Sequence, residues 1–154
     1  KYEKVDLKVL ISEVIHSLRP KLDADQAVII FTVPIETYIA NIDELHIKGV
    51  LINLIENSLK YSVPPAEIEI FLKGGESFIE ISVSDRGIGI PNEYQKLIFT
   101  QFFRVPSGDI HNNKGYGIGL YYSKLIVEQH GGVLKFMDRV GGGSIFKFTI
   151  PFSS

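Results

Sequence analysis

Several common features are missing from this 154-residue chain, and each absence removes a class of function. There is no cysteine, which excludes a disulfide scaffold and any metal site built on thiolates. The formal net charge of −2 provides no basic field, so we expect no nucleic-acid partner. The longest apolar run, residues 27–33, is too short to span a bilayer, and we expect no membrane contact by this domain.

Two common nucleotide-binding motifs are also absent. No G-x-x-x-x-G-K-S/T sequence exists, which excludes a P-loop, and the glycine-rich stretches lack the spacing of the dinucleotide fingerprint. The chain begins at lysine and shows no signal peptide, so we expect a domain taken from a longer protein. A composition of 45% hydrophobic and 22% charged residues is typical of a soluble globular protein, and we expect one domain over 1–154.

Helices and strands are predicted from apolar periodicity and from the turn residues between the periodic segments. The predicted helices are 9–22, closed by Pro20 and 23–25, then 43–61 with Asp43 as N-cap, 91–103 and 116–130. The predicted strands are 27–33, 37–41, 66–73, 77–85, 132–138 and 144–151, of which the last two form a hairpin. This grouping predicts an α/β two-layer sandwich, a mixed β-sheet packed on one face by three main helices.

Four polar residues share one face of the long predicted helix. Asn53, Glu56, Asn57 and Lys60 fall within an arc of roughly 100°, with apolar residues on the opposite side. Asparagine offers a carbonyl oxygen to a hard cation such as Mg²⁺, and lysine offers a charge to phosphate. The alternative is a plain solvated helix face.

The strand that ends at Asp85 delivers a carboxylate to the inner rim of the predicted sheet, because its alternate residues are apolar. Gly87 and Gly89 follow and allow a ligand to approach the backbone closely. An adenine would fit here, with its amine donating to Asp85 and its ring packed on Ile90. The alternative is a tight turn around a buried, hydrogen-bonded aspartate.

Three alternate glycines, Gly115, Gly117 and Gly119, lie where a polar loop enters a predicted helix. Backbone N–H groups at a helix N-terminus form a ready site for phosphate. The preceding residues 104–114 have no periodicity and are predicted to form a loop. The alternative is a helix entry that needs small residues, but the order of these segments along the chain favours a joint nucleotide site.

Together these segments resemble the ATP-binding catalytic domain of sensor histidine kinases, within the superfamily that includes gyrase, heat-shock chaperones and MutL proteins. The resemblance covers nearly the whole chain and rests on five boxes in order. These are an N box at 53–61, a glycine box at 85–90, an F box at 99–104, a second glycine box at 115–120 and a closing box at 143–146. Arg86 stands where Asn is usual, and Tyr116 and Ser144 stand where Thr is usual. The implied fold is the left-handed, Bergerat-type α/β sandwich with a flexible ATP lid.

The resemblance implies bound ATP and Mg²⁺ and gives each matching position a role. Asn57 would hold Mg²⁺ with Asn53 assisting, and Asp85 would meet the adenine amine. The implied catalytic residues are Asn53, Lys60 and Arg104, the last at the base of a lid formed by 105–114. The implied nucleotide-binding residues are Asn57, Tyr61, Asp85, Gly87, Gly89, Ile90, Lys114, Gly115, Tyr116, Gly117, Ile118, Gly119, Leu120 and Ser144.

The resemblance also implies partners, since a sensor kinase passes the γ-phosphoryl group to a histidine on a dimerisation domain, from which it reaches a response regulator. His16 precedes Pro20 in a sequence similar to an acceptor motif, but it lacks the acidic neighbour, and its proline comes one residue early. The other histidines, His46, His111 and His130, show no ligand spacing. We therefore expect the acceptor domain to lie outside this chain, and the isolated domain to be a cytoplasmic monomer whose parent protein is either free or membrane-anchored.

One position separates the branches of this superfamily. The hydrolytic relatives place a glutamate four residues before the Mg²⁺-binding asparagine, whereas this chain has Asn53, which cannot accept a proton at neutral pH. This favours a kinase, although Glu56 is acidic and leaves residual hydrolysis open. The alternatives are a gyrase-like ATPase and a non-catalytic nucleotide-sensing module.

Overall fold

The computed structural model describes residues 1–105 and 119–152. The strands are β1 (Glu3–Asp6), β2 (Val28–Thr32), β3 (Ile39–Ile42), β4 (Glu67–Gly74), β5 (Phe78–Asp85), β6 (Leu134–Asp138) and β7 (Ser144–Pro151). The helices are α1 (Leu7–Ala24), α2 (Glu44–Tyr61) and α3 (Gly119–Gln129), with a short 3₁₀ helix at Asn92–Tyr94. Within the described residues, no helix is both long and apolar enough to cross a membrane.

Five strands form one mixed sheet in the order β2-β4-β5-β7-β6. Only the β2–β4 pair is parallel, and the other neighbours are antiparallel. β6 and β7 form the predicted hairpin, with Leu134 opposite Phe148. β1 and β3 pair separately as a two-stranded antiparallel sheet.

The core lies between one face of this sheet and the three helices, which confirms the predicted two-layer sandwich. Alternate residues of β5, Ile79, Ile81 and Val83, are fully buried. So are the apolar residues that α2 turns toward the sheet, which are Ile47, Leu51, Leu54 and Ile55. The polar face of α2 is therefore left free to line a site on the other side of the helix.

Aspartates begin the first two helices. The carboxylate of Asp6 accepts hydrogen bonds from the backbone N–H groups of Lys8 and Val9 at the start of α1. Asp43 accepts from the N–H of His46, which confirms it as the N-cap of α2. These caps set where α1 and α2 begin.

The predicted helix over 91–103 is wrong beyond its first turn. After the 3₁₀ helix the chain continues through tight turns, such as the bond from the N–H of Phe103 to the carbonyl of Thr100. Phe102 adopts a left-handed backbone conformation with φ of 67°, which no continuous α-helix contains. These turns bring Ile98 into the core, where it is 4% exposed.

Near the N-terminus, the end of the first helix agrees with the prediction, and one strand was missed. α1 ends at Ala24, within the predicted end at 23–25, and Pro20 lies inside it. Strand β1 was not predicted, since its four residues include three charged ones and show no apolar alternation. Its partner β3 supplies the pairing that the local sequence does not indicate.

Candidate functional site

A cavity of about 970 Å³ lies between α2, the start of α3 and the turns that lead to residue 105. This is at the upper end of the range of about 300–1,000 Å³ that is typical of small-molecule sites. It brings together predicted site residues from distant parts of the sequence, which are Asn53, Asn57, Lys60, Tyr61, Ile90, Arg104, Gly119 and Leu120. Phe146 of β7 and Ile98 add apolar surface to the same wall.

The two asparagines of α2 use their side-chain nitrogens within the protein. The Nδ2 of Asn57 donates to the backbone carbonyl of Asn53 at 3.1 Å. Because that carbonyl can only accept, it fixes which end of the Asn57 amide faces the helix. The Nδ2 of Asn53 donates to the hydroxyl of Ser123 on α3 at 3.0 Å. Within the described part of the chain neither Oδ1 atom has a hydrogen-bond donor, so the cavity has two oxygen acceptors suited to a hard cation.

Lys60 and Arg104 bring positive charge to the same cavity. Burial lowers the pKa of Lys60, and the neighbouring charge of Arg104 lowers it further. Burial raises the pKa of Tyr61, which Arg104 opposes in part. A polyphosphate entering the cavity would compensate the repulsion between Lys60 and Arg104.

Asp85 lies at the end of β5, and it is only 3% exposed. Its Oδ1 accepts hydrogen bonds from the backbone N–H groups of Gly87 at 2.8 Å and Ser144 at 3.3 Å. Burial raises the pKa of Asp85, and these two bonds, the nearby Ser58 hydroxyl and the charge of Arg139 oppose that rise. The Ser58 hydroxyl itself is buried and falls short of hydrogen-bond geometry with any described residue.

Glycine is required where the turn after Asp85 meets the end of α2. A methyl group at Gly87 would lie 2.5 Å from the carbonyl oxygen of Tyr61. Gly89 has a left-handed φ of 73°, which glycine adopts without strain. The N–H of Ile88 donates to the same Tyr61 carbonyl at 3.2 Å. The turn therefore stays close to the helix that carries both asparagines.

Not every predicted site residue can be placed. Four of them do not line the cavity, which are Asp85, Gly87, Gly89 and Ser144. Five others, Lys114, Gly115, Tyr116, Gly117 and Ile118, lie outside the described residues. So does the predicted lid over 105–114, apart from Val105, which lines the cavity.

Arg86 stands where the resemblance leads one to expect asparagine, and it points away from the site. Its guanidinium lies 3.5 Å from the carboxylate of Glu67 and 4.0 Å from that of Glu69, both on β4. This departure from the usual pattern therefore forms ion pairs with β4 and does not alter the contacts of Asp85 and Gly87.

Sequence reasoning missed two side chains that support the site. Ser123 is a buried serine on α3 that bonds to Asn53, and Lys21 of α1 lies 3.0 Å from the carboxylate of Glu56. Neither belongs to a box, and each depends on how α1 or α3 packs against α2. Ser123 has one sequence signal, a serine on a helix face that is otherwise apolar, and Lys21 has none.

Comparisons of the sequence with known proteins find one matching family and several similar relatives. Residues 42–154 match the family described as "Histidine kinase-, DNA gyrase B-, and HSP90-like ATPase". Sensor protein RprX of Bacteroides fragilis is 31% identical over 98% of this chain, and the adaptive-response sensory kinase SasA of Prochlorococcus marinus is 44% identical over 71% of it. The chain spans 30% and 29% of the lengths of these two relatives.

Solved structures agree with these relatives. The catalytic domain of histidine kinase ThkA superposes with a TM-score of 0.88 at 28% identity, covering 100% of this chain and 99% of that one. ThkA has also been solved in complex with the response regulator protein TrrA, and that structure matches with a TM-score of 0.81 at 27% identity, over 99% of this chain and 42% of that one.

Proposed function

Since this chain belongs to the family of histidine kinase-, DNA gyrase B-, and HSP90-like ATPases, we propose that it binds Mg·ATP and transfers the γ-phosphoryl group to a histidine on a separate acceptor domain. ATP binding follows from the family. The metal, the acceptor and the role of each residue are the proposal. Mg²⁺ would neutralise charge on the phosphates and align the γ-phosphoryl group for transfer.

The observation that carries this proposal is the arrangement of the α2 amides. The side-chain nitrogens of Asn53 and Asn57 are engaged by Ser123 and by the helix backbone, which leaves their carbonyl oxygens as acceptors. Carbonyl oxygens are ligands that Mg²⁺ accepts together with water and phosphate oxygens. Lys60 and Arg104 line the same cavity and would bind the phosphates as cations. The residues present therefore fit a magnesium–triphosphate group.

Transfer to histidine is favoured over transfer to water. Asn53 cannot act as a general base, and Glu56, an acidic residue on the same helix face, forms an ion pair with Lys21 at 3.0 Å. An acceptor histidine would instead supply its own nucleophilic nitrogen. This arrangement supports a kinase over a gyrase-like ATPase.

The extent of the domain, its cellular location and its partners are part of the same proposal. We place a single catalytic domain over 1–154, working in the cytoplasm with the acceptor-histidine domain of its parent chain. The complex of ThkA with TrrA supports a response regulator as the downstream partner.

Asn57→Ala tests the proposal directly. It should weaken Mg²⁺-dependent ATP binding by about tenfold or more, because an oxygen ligand is lost, while metal-free ADP binding changes little. Calorimetry with and without Mg²⁺ measures both quantities. Asn41→Ala, at an exposed asparagine of β3, is the matched control and should leave both unchanged. Equal losses with and without Mg²⁺ would remove the metal role of Asn57.

A further inference from the structure

Ser123 is a buried polar residue that the proposed roles leave unused. It lies on α3, is 2% exposed and does not line the cavity. Its hydroxyl accepts a hydrogen bond from the Nδ2 of Asn53 at 3.0 Å. Buried hydroxyl groups are generally paired in folded proteins, and the partner here belongs to the candidate metal site.

Gly119 lies one helical turn before Ser123 and faces the same side chain. Residues four apart share a helix face, so both approach Asn53 from α3. A methyl group at Gly119 would collide with the Asn53 amide, and the atom it would meet first is Oδ1. The helix thus leaves room for the oxygen end of the amide and provides a hydrogen-bond acceptor for the nitrogen end.

The two ends of a side-chain amide are similar in size but opposite in chemistry. A half-turn about the last torsion exchanges them, and that torsion has only a weak intrinsic preference. The oxygen binds a hard cation, whereas the NH₂ group cannot. An asparagine at a metal site therefore needs neighbours that hold its side chain in place, and a serine hydroxyl can do so because it both donates and accepts.

We propose that Ser123 is a positioning residue for Asn53, whose hydroxyl anchors the side-chain amide against α3 at the edge of the Mg·ATP site. The inference rests on the proposed function, because it presupposes a metal near Asn53. It adds a residue outside the boxes and makes the orientation of Asn53 depend on α3. Asn57 needs no such neighbour, since its own helix holds its nitrogen.

Ser123→Ala is the first test. The Mg²⁺ concentration that gives half-maximal ATP binding should rise about three- to tenfold, the factor expected from losing one neutral hydrogen bond. Metal-free ADP binding should stay the same. In the metal-free domain, NMR should show faster solvent exchange of the Asn53 side-chain NH₂ protons. Ser82→Ala, at a buried serine of β5, is the matched control.

A second pair of variants keeps the test decisive if the alanine variant folds poorly. Thr and Val have the same shape, but only Thr retains a hydroxyl group. Ser123→Thr should therefore preserve the Mg²⁺ dependence, and Ser123→Val should weaken it by the same three- to tenfold factor. Equal behaviour of these two variants would overturn the inference.

A double-mutant cycle separates the inference from the function on which it rests. In an Asn53→Ala background, Ser123→Ala should have no further effect on the Mg²⁺ dependence, whereas independent roles would add. If Asn57→Ala shows a metal-specific loss and Ser123→Ala shows none, only the role of Ser123 fails. If neither variant alters the Mg²⁺ dependence, the proposed metal site itself fails.

Discussion

At the scale of single residues, Asp85 holds a carboxylate in a place that water barely reaches. Burial favours the protonated form, and the N–H groups of Gly87 and Ser144 favour the charged one. A further donor, such as the exocyclic amine of adenine, would stabilise the charge that burial disfavours. Ionisation of Asp85 and binding of the base are therefore linked.

Asp85→Asn should weaken binding of both ATP and ADP by about 1.5–3 kcal/mol, the size of a hydrogen bond to a charged group. The asparagine oxygen can still accept from both backbone N–H groups, so the turn should stay folded, but its NH₂ group repels the adenine amine. Calorimetry measures the loss, and thermal unfolding verifies the fold. An unchanged affinity in the folded variant would leave Asp85 as a turn residue only.

The raised pKa of Asp85 adds a pH dependence with a definite sign. As pH falls through the folded-state pKa, which lies above the ordinary value, Asp85 becomes protonated and adenine affinity should fall. Folding stability should move the opposite way, since the cost of the buried charge is present at higher pH and disappears as pH falls through that pKa. The Asn variant should lack both effects.

Residues in the site differ in how far their roles could be predicted. Asp85 could be found because strand alternation places its side chain inward and two glycines follow it. Ser123 could not, because its role exists only once α3 lies beside α2 and its partner is 70 positions away in sequence. The role of the Ser58 hydroxyl could not be predicted either, because Ser58 comes near Asp85 only once α2 packs against the sheet.

At the scale of elements, the two faces of α2 have different roles. One face packs fully buried leucines and isoleucines on the sheet, and the other carries the asparagines and lysine of the cavity. Stability and ligand binding should therefore respond to different substitutions on one helix.

Leu54→Ala should lower the free energy of unfolding by about 2–5 kcal/mol, because it leaves a cavity in a core where Leu54 is fully buried. Leu45→Ala, on the same helix but 78% exposed, should change it by less than about 0.5 kcal/mol. Urea unfolding measures both values. Similar losses for the two variants would contradict the two-faced description of α2.

Elements with a strong period were predicted well, and those held by tertiary contacts were not. β5 and α2 follow their periodicity of two and 3.6 residues because each has one buried face. The segment after Pro91 has aromatic residues at helical spacing, yet it folds as turns that place Phe99 edge-on against Phe146 of β7. That contact depends on the finished sheet, which local spacing does not reveal.

At the scale of the whole molecule, the described residues supply a binding site but no suitable nucleophile. His130 has both ring nitrogens in hydrogen bonds, since Nε2 accepts from the N–H of Asp43 and Nδ1 lies 2.7 Å from the carbonyl of Ile126. His46 pairs with the carboxylate of Asp43 at the start of α2. His16 is exposed on α1 and does not line the cavity, and His111 lies outside the described residues.

This separation of donor from acceptor leads to the final prediction. The chain alone should hydrolyse ATP very slowly and should not label itself, because phosphoryl transfer needs an aligned nucleophile as well as a bound donor. Adding the acceptor-histidine domain of the parent protein should produce acid-labile, alkali-stable phosphate on that domain. Labelling should be slow in a simple mixture and fast when the two are joined, because linkage raises the effective concentration to about the millimolar range. Asn57→Ala should abolish the labelling while Asn41→Ala retains it. Stable self-labelling of the isolated chain, or rapid ATP turnover without a partner, would contradict the assignment as a histidine kinase.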